Sequence, residues 1–182
     1  MYTDNTDEAL IVRLKRNDPV ALETLFNRHY KPLCHYCALF TKDFAAAEEI
    51  VADLFIKIWD NRHKSDILNV KSYLFLSVRN LSLNFIQKKK NPVDSIEDIT
   101  ITQHELQDTN TPYSVLSGRE SNQRILRMIE RLPARQREVL LMSRIDAIDK
   151  HTIAQVLGIS VRTVETTLYL AIQQLRNQLK IS

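Results

Sequence analysis

The residues whose types and spacing best support chemistry form one run near the C-terminus, Thr152-Ile153-Ala154-Gln155-Val156-Leu157-Gly158-Ile159-Ser160-Val161-Arg162-Thr163-Val164-Glu165. The spacing predicts two helices joined by a tight turn. Ala154 is small where the helices cross, Gly158 supplies the left-handed backbone of the turn, and Val164 anchors the second helix on the first. Ser160 is a natural N-cap, which places Arg162, Thr163, Glu165 and Thr166 on the exposed early turns. Such side chains at a helix start fit a DNA major groove, where they meet base edges and phosphates. Val161, Val164, Leu168, Ala171, Ile172, Leu175 and Leu179 keep the other face apolar. Any helical pair joined by a Gly turn has some of these features; the complete spacing plus the cap favours DNA binding.

A second nucleic-acid surface is predicted over residues 71 to 90, which carry five basic groups and no acidic one. A helix with Lys71, Arg79 and Lys88 to Lys90 attracts phosphates and releases their counterions. Tyr73, Phe75, Asn80, Asn84 and Phe85 are interleaved with these charges and could stack on or hydrogen-bond to unpaired bases. At helical spacing Phe75 and Phe85 suit a core better, so Asn80 is the stronger base-contact candidate. A third surface is the acidic side of residues 45 to 61, with Glu49, Asp53 and Asp60 opposite an apolar stripe; spacing alone does not separate a docking face from a solvated one.

His29, Cys34, His35 and Cys37 are the raw material for metal or redox chemistry. Offsets of five and three let His29, Cys34 and Cys37 partly converge. A zinc site needs a full tetrahedral set, and no distal acid, phosphate-cradling Gly loop or nucleophile motif accompanies them. The single Cys-x-x-Cys pair lacks βαβ context and reads as buried or idle thiols.

These surfaces need helices to hold them. The chain of 182 residues has two glycines and five prolines, and 44% of it is hydrophobic, which favours an all-α fold with packed cores. Asp7 or Asn5 is placed to cap a first helix that stops near Asn17-Asp18-Pro19. A second runs from Val20, with Pro32 as a kink or a break. The stretch Ala45 to Asn61 is the cleanest helix, with Ile50, Val51, Leu54, Phe55, Ile58 and Trp59 on one face. A long helix follows from Val70 to Lys90, its core positions Leu74, Val78, Leu81 and Phe85. Residues 91 to 118 carry five acidic groups, no Lys or Arg, and two prolines, and read as a flexible acidic linker. Residues 119 to 182 carry eleven basic groups against six acidic ones. Arg119, Arg124, Arg127, Arg131, Arg135 and Arg137 add positive charge near the helix-turn-helix, as a solvated helical face also would. Two small helical domains, 1–90 and 119–182, are therefore expected. No apolar run approaches the roughly 20 residues of a membrane span and MYTDNTDEAL has no signal-peptide pattern, so a cytoplasmic protein without membrane insertion is expected.

Two blocks in order resemble the extracytoplasmic-function (ECF) group of sigma-70 type RNA polymerase sigma factors. DEALIVRLKRNDPVALETLFNRHY, AAAEEIVADLFIKIWDNR and KSYLFLSVRNLSLNFIQKKK resemble sigma region 2. LPARQREVLLMSRID, the helix-turn-helix and AIQQLR resemble region 4. The resemblance implies a non-catalytic, cofactor-free initiation factor whose partners are core RNA polymerase, promoter DNA and an anti-sigma factor. It implies that Glu49 and Asp53 dock on the polymerase, and that Lys71, Arg79, Asn80 and Lys88 hold the melted non-template strand of the downstream element. Ser160, Arg162, Thr163, Glu165 and Thr166 would serve the upstream element, and the linker would lie in the RNA exit path. Ala52 stands where the family has a glutamine, and Ala147 with Asp149 where it has a Gly-Leu-Ser turn. Thr166-Thr167 replaces more polar or basic groups, so the DNA sequence read does not transfer. TIAQVLGISVRTVE also resembles two-component output regulators, which bind DNA without polymerase. Those normally carry an α/β receiver or ligand-binding domain upstream, and residues 1 to 118 show neither alternating strands nor an acidic phosphorylation pocket.

Overall fold

The computed structural model describes residues 5–64, 66–90, 125, 127–144 and 147–180; the linker expected over 91–118 lies outside them, as do Arg119 and Arg124. Regular structure among the described residues is helical throughout. The first helix, α1 (Asp7–Lys15), is capped by Thr6, whose side chain accepts from Ala9 N at 3.3 Å. The expected cap was Asp7 or Asn5; the hydroxyl between them has the extended backbone a cap needs. Asn17 turns the chain at φ 64°, a conformation Asn tolerates better than most residues. Asp18 then caps α2 (Pro19–Thr41), accepting from Val20 N at 3.0 Å, with Pro19 in the first turn where its missing N–H costs nothing. Pro32 lies inside α2 without breaking it.

Lys42 ends α2 in a left-handed conformation, and Asp43 caps α3 (Phe44–Asp60), accepting from Ala46 N at 3.2 Å. Val51, Leu54, Phe55 and Ile58 form its buried stripe. Asn69 accepts from Ser72 N at 2.9 Å and opens α4 (Val70–Lys90), whose bounds match those read from the sequence. Leu74, Phe75 and Val78 are buried; Leu81 and Phe85 are only half-buried. Tyr36 is wholly buried, with its ring 5.2 Å from Phe75 and 5.3 Å from Phe40.

The C-terminal helices are α5 (Ala134–Arg144), α6 (Lys150–Leu157) and α7 (Val161–Lys180). Leu132, Leu140 and Ala171 form a small core with Ile172 and Leu175. The sequence suggested two helical modules joined by a linker and left their relative placement open. In the structure they touch: α6 packs on α4, α5 reaches α2, and one apolar cluster runs from Leu10 and Tyr36 through Val78 to Val139, Met142, Ile153 and Val164. Burial favours this contact, because the shared cluster takes apolar side chains of both modules out of water and each Å² removed contributes about 25 cal/mol.

Candidate nucleic-acid interface

The helix-turn-helix is fixed at both its joints. Asp149 accepts from His151 N and Thr152 N, each at 3.0 Å, and from the Thr152 hydroxyl at 2.6 Å. Burial pushes the Asp149 carboxyl up, but these hydrogen bonds outweigh it and hold the group below the usual carboxylate range. Gly158 closes α6 at φ 62°, where an added Cβ would meet nothing within 4 Å. Ser160 Oγ then accepts from Thr163 N at 3.0 Å, the cap the sequence suggested. Val164 is buried beneath the turn, while Arg162, Thr163, Glu165 and Thr166 are exposed.

One residue of this site was not foreseen. Lys150 donates to Glu165 across the two helices, and this hydrogen bond holds the Glu165 carboxyl below its ordinary range. Fifteen positions separate the pair, so helical periodicity gives no sign of it. The Thr166 hydroxyl donates to Arg162 O at 3.0 Å.

On α4 the basic and polar side chains divide. Lys71, Asn80, Lys88 and Lys89 are exposed, whereas Arg79 is half-buried against the C-terminal module. Arg79 Nε donates to Glu138 Oε1 at 3.2 Å, with its guanidinium 6.0 Å from the Phe40 ring centre. The Tyr36 hydroxyl donates to the same Glu138 oxygen at 2.8 Å, and Arg135 lies 3.7 Å from the other. Burial, with Glu138 adjacent, pushes the Tyr36 phenol well above its usual range, so it stays a donor. Ser72 also donates to Gln155 of α6. The structure thus leaves Lys71, Asn80, Lys88 and Lys89 open on α4 and ties Ser72 and Arg79 to the C-terminal module. Phe75 is core, as its spacing suggested.

Among the other arginines near the helix-turn-helix, Arg127 and Arg131 are exposed, while Arg137 donates to Leu132 O at 3.3 Å. On α3, Glu49 and Asp53 are exposed together with Ile56, a large apolar side chain 58% exposed. Its position outside the buried stripe is the sequence signal that could have found it.

Cys34 and Cys37 are buried free thiols, pushed by burial up to about 12 and about 11. Ser82 donates to the Cys37 sulfur at 3.0 Å, and His29 Nε2 lies 2.8 Å from Asp7. Among the described residues no group of three or more His, Cys, Asp or Glu is placed to hold a metal ion, and no helix is long and apolar enough to cross a membrane.

A capped helix-turn-helix with an exposed reading edge, seated on a helical module whose fourth helix bears basic groups, defines a helical DNA-binding protein. Residues 25–91 match the family described as Sigma-70 region 2, and residues 122–175 match Sigma-70, region 4; together they span well over half the chain. The ECF RNA polymerase sigma factor SigW of Bacillus subtilis (strain 168) is 25% identical over 177 residues, 93% of this chain and 95% of that protein. The ECF RNA polymerase sigma factor RpoE of Cereibacter sphaeroides is 25% identical over 182 residues, 97% of each chain. Two solved structures share the fold. CnrH in complex with the cytosolic domain of CnrY matches at TM-score 0.69 and 19% identity, over 97% of this chain and 98% of that one. RpoE in complex with the anti-sigma factor NepR from Bartonella quintana matches at 0.58 and 17%, over 88% and 97%. The chain belongs to the sigma-70 family, as an RNA polymerase sigma factor of the ECF type.

Proposed function

We propose a division of labour among named surfaces of this sigma factor. Residues 1–90 form the module that holds core polymerase and the opened strand, residues 119–182 form the module that reads duplex, and residues 91–118 tether them. Glu49 and Asp53, about two turns and one turn before exposed Ile56 on α3, dock that helix on the polymerase. Arg162, Thr163, Glu165 and Thr166 read the upstream promoter element, with Ser160 capping their helix and Lys150 orienting Glu165. Lys71, Arg79, Asn80 and Lys88 hold the single strand of the downstream element.

The observation that carries this reading is the placement of α7: its early polar residues face outward while Val164 beneath them is buried, the presentation a major groove requires. The protein acts by binding, without catalysis, and works in the cytoplasm where polymerase and DNA are. An anti-sigma factor is a further partner, on the strength of the neighbours solved with CnrY and with NepR. The test is in vitro transcription with core polymerase on a promoter library. Template-selective initiation dependent on this chain supports the reading; duplex binding with no polymerase association rejects it.

A further inference from the structure

We propose that Glu165 selects a cytosine in the upstream element, and that Lys150, on the other helix of the motif, is the positioning residue that lets a carboxylate do so. The inference deepens the reading above that α7 enters duplex, and it rests on that reading. Glu165 is the only acid of α7, and it stands among the exposed residues Arg162, Thr163 and Thr166. An ionised carboxylate accepts hydrogen bonds and donates none. In a major groove it therefore suits the N4 amino group of cytosine, and it is repelled by the O6 and N7 acceptors of guanine. An arginine or lysine at the same place would have the opposite preference, so the residue type at 165 decides the base.

A carboxylate meets two obstacles in a groove. Phosphates on both walls repel it, and a glutamate side chain in water must give up rotamer freedom to hold one geometry. Lys150 answers both. It is the first residue of α6, set in place by the Asp149 cap, and its Nζ donates to Glu165 Oε1. The hydrogen bond and the charge of Lys150 keep the Glu165 carboxyl ionised, with His151 and Arg162 acting in the same direction from either helix. One carboxylate oxygen is engaged by Lys150, which leaves Oε2 for the base. Both side chains are 53% exposed, and a pair so open to solvent adds little to folding. Its consequence lies in binding: the ammonium offsets the repulsion from the phosphates and fixes the direction in which the carboxylate points.

The test is selection from a duplex library randomised across the upstream element, bound by the full chain assembled with core polymerase and read by sequencing. The native chain should enrich cytosine at one position. Glu165→Gln should move that position alone to adenine, because Gln pairs with adenine N6 and N7. Lys150→Ala should cut discrimination at the same position by roughly tenfold while preferences elsewhere persist, and Lys150→Arg should restore it. Loss of affinity on Lys150→Ala that is equal for every sequence overturns the positioning role, since a purely structural or phosphate-binding lysine gives that result. Base preferences left unaltered by Glu165→Gln overturn the cytosine assignment, as does a shift from any base other than cytosine. Absence of enrichment at every position by the native chain rejects duplex reading by α7 and this inference with it, so the two failures are distinguishable. If Lys150→Ala unfolds the motif, the double exchange Lys150→Glu with Glu165→Lys keeps a pair across the helices. It should turn the enriched cytosine into guanine, and retained cytosine would overturn the proposal.

Discussion

Two turns flank α6 with the same backbone hand but different residues, and exchanging their chemistry gives a prediction with opposite signs. Ala147 sits at φ 50° and Gly158 at φ 62°. For a residue with a Cβ, the left-handed region costs about 1–2 kcal/mol. Replacing Ala147 by Gly removes that strain but adds about 0.4–1 kcal/mol of backbone freedom to the unfolded chain. The net should be a stabilisation of about 0.5–1 kcal/mol, with a midpoint rise of roughly 2–4 °C per kcal/mol for a chain of this size. Gly158→Ala reverses the sum. A Cβ there meets nothing within 4 Å, so no steric penalty joins the backbone cost, and the loss should also be about 0.5–1 kcal/mol. Urea and thermal unfolding followed by circular dichroism measure both variants. A destabilised Ala147→Gly would refute the strain argument, and a loss well above ~3 kcal/mol for Gly158→Ala would mean that the turn is packed, contrary to the open space found.

Arg162→Ala should weaken upstream duplex binding by about 1–3 kcal/mol if its guanidinium makes a bidentate base contact, and unchanged affinity in titrations with labelled promoter DNA would remove it from the reading set. Asp53→Lys should weaken assembly with core polymerase, measured by co-elution, while duplex binding through α7 persists; normal assembly would move the docking face elsewhere. His29 is buried, and desolvation holds its pKa below 6.5 despite Asp7. The unfolded chain then binds the proton better, so this contribution to stability is present above pH 6.5 and is lost as pH falls through the window below it. His29→Gln should flatten that part of the stability–pH curve, and an unaltered slope would assign it to other groups.

What was readable in the sequence was whatever is local. The bounds of α4, the stripe of α3, the left-handed Gly158 and the Ser160 cap each depend on residues within a turn or two of one another, where helical period and capping chemistry act directly. Capping by Thr6 was missed by one residue because Asn5 and Asp7 have the same chemistry and only the backbone selects among them. What depended on tertiary geometry was not readable. Lys150 with Glu165, and Ser72 with Gln155, are surface pairs whose residues look solvated in isolation. Tyr36 and Glu138 lie 102 positions apart, and a lone acid in a basic segment gives no hint that it is buried.

That placement of Glu138 has an energetic consequence for α4. Five basic groups without an acid on one helix repel each other and raise the cost of packing it against anything but an anion. The C-terminal module answers this with one carboxylate, Glu138, which accepts from half-buried Arg79. Lys71, Lys88 and Lys89 remain exposed and keep a long-range pull on nucleic acid while Arg79 is paired. Salt should then act differently on the two kinds of group. Screening weakens the exposed lysines, but the sheltered Arg79 and Glu138 pair is screened much less. Raising ionic strength should therefore weaken strand binding well before it loosens the packing of the two modules. Small-angle scattering that showed the free chain expanding at the same salt would show instead that the pair is effectively at the surface.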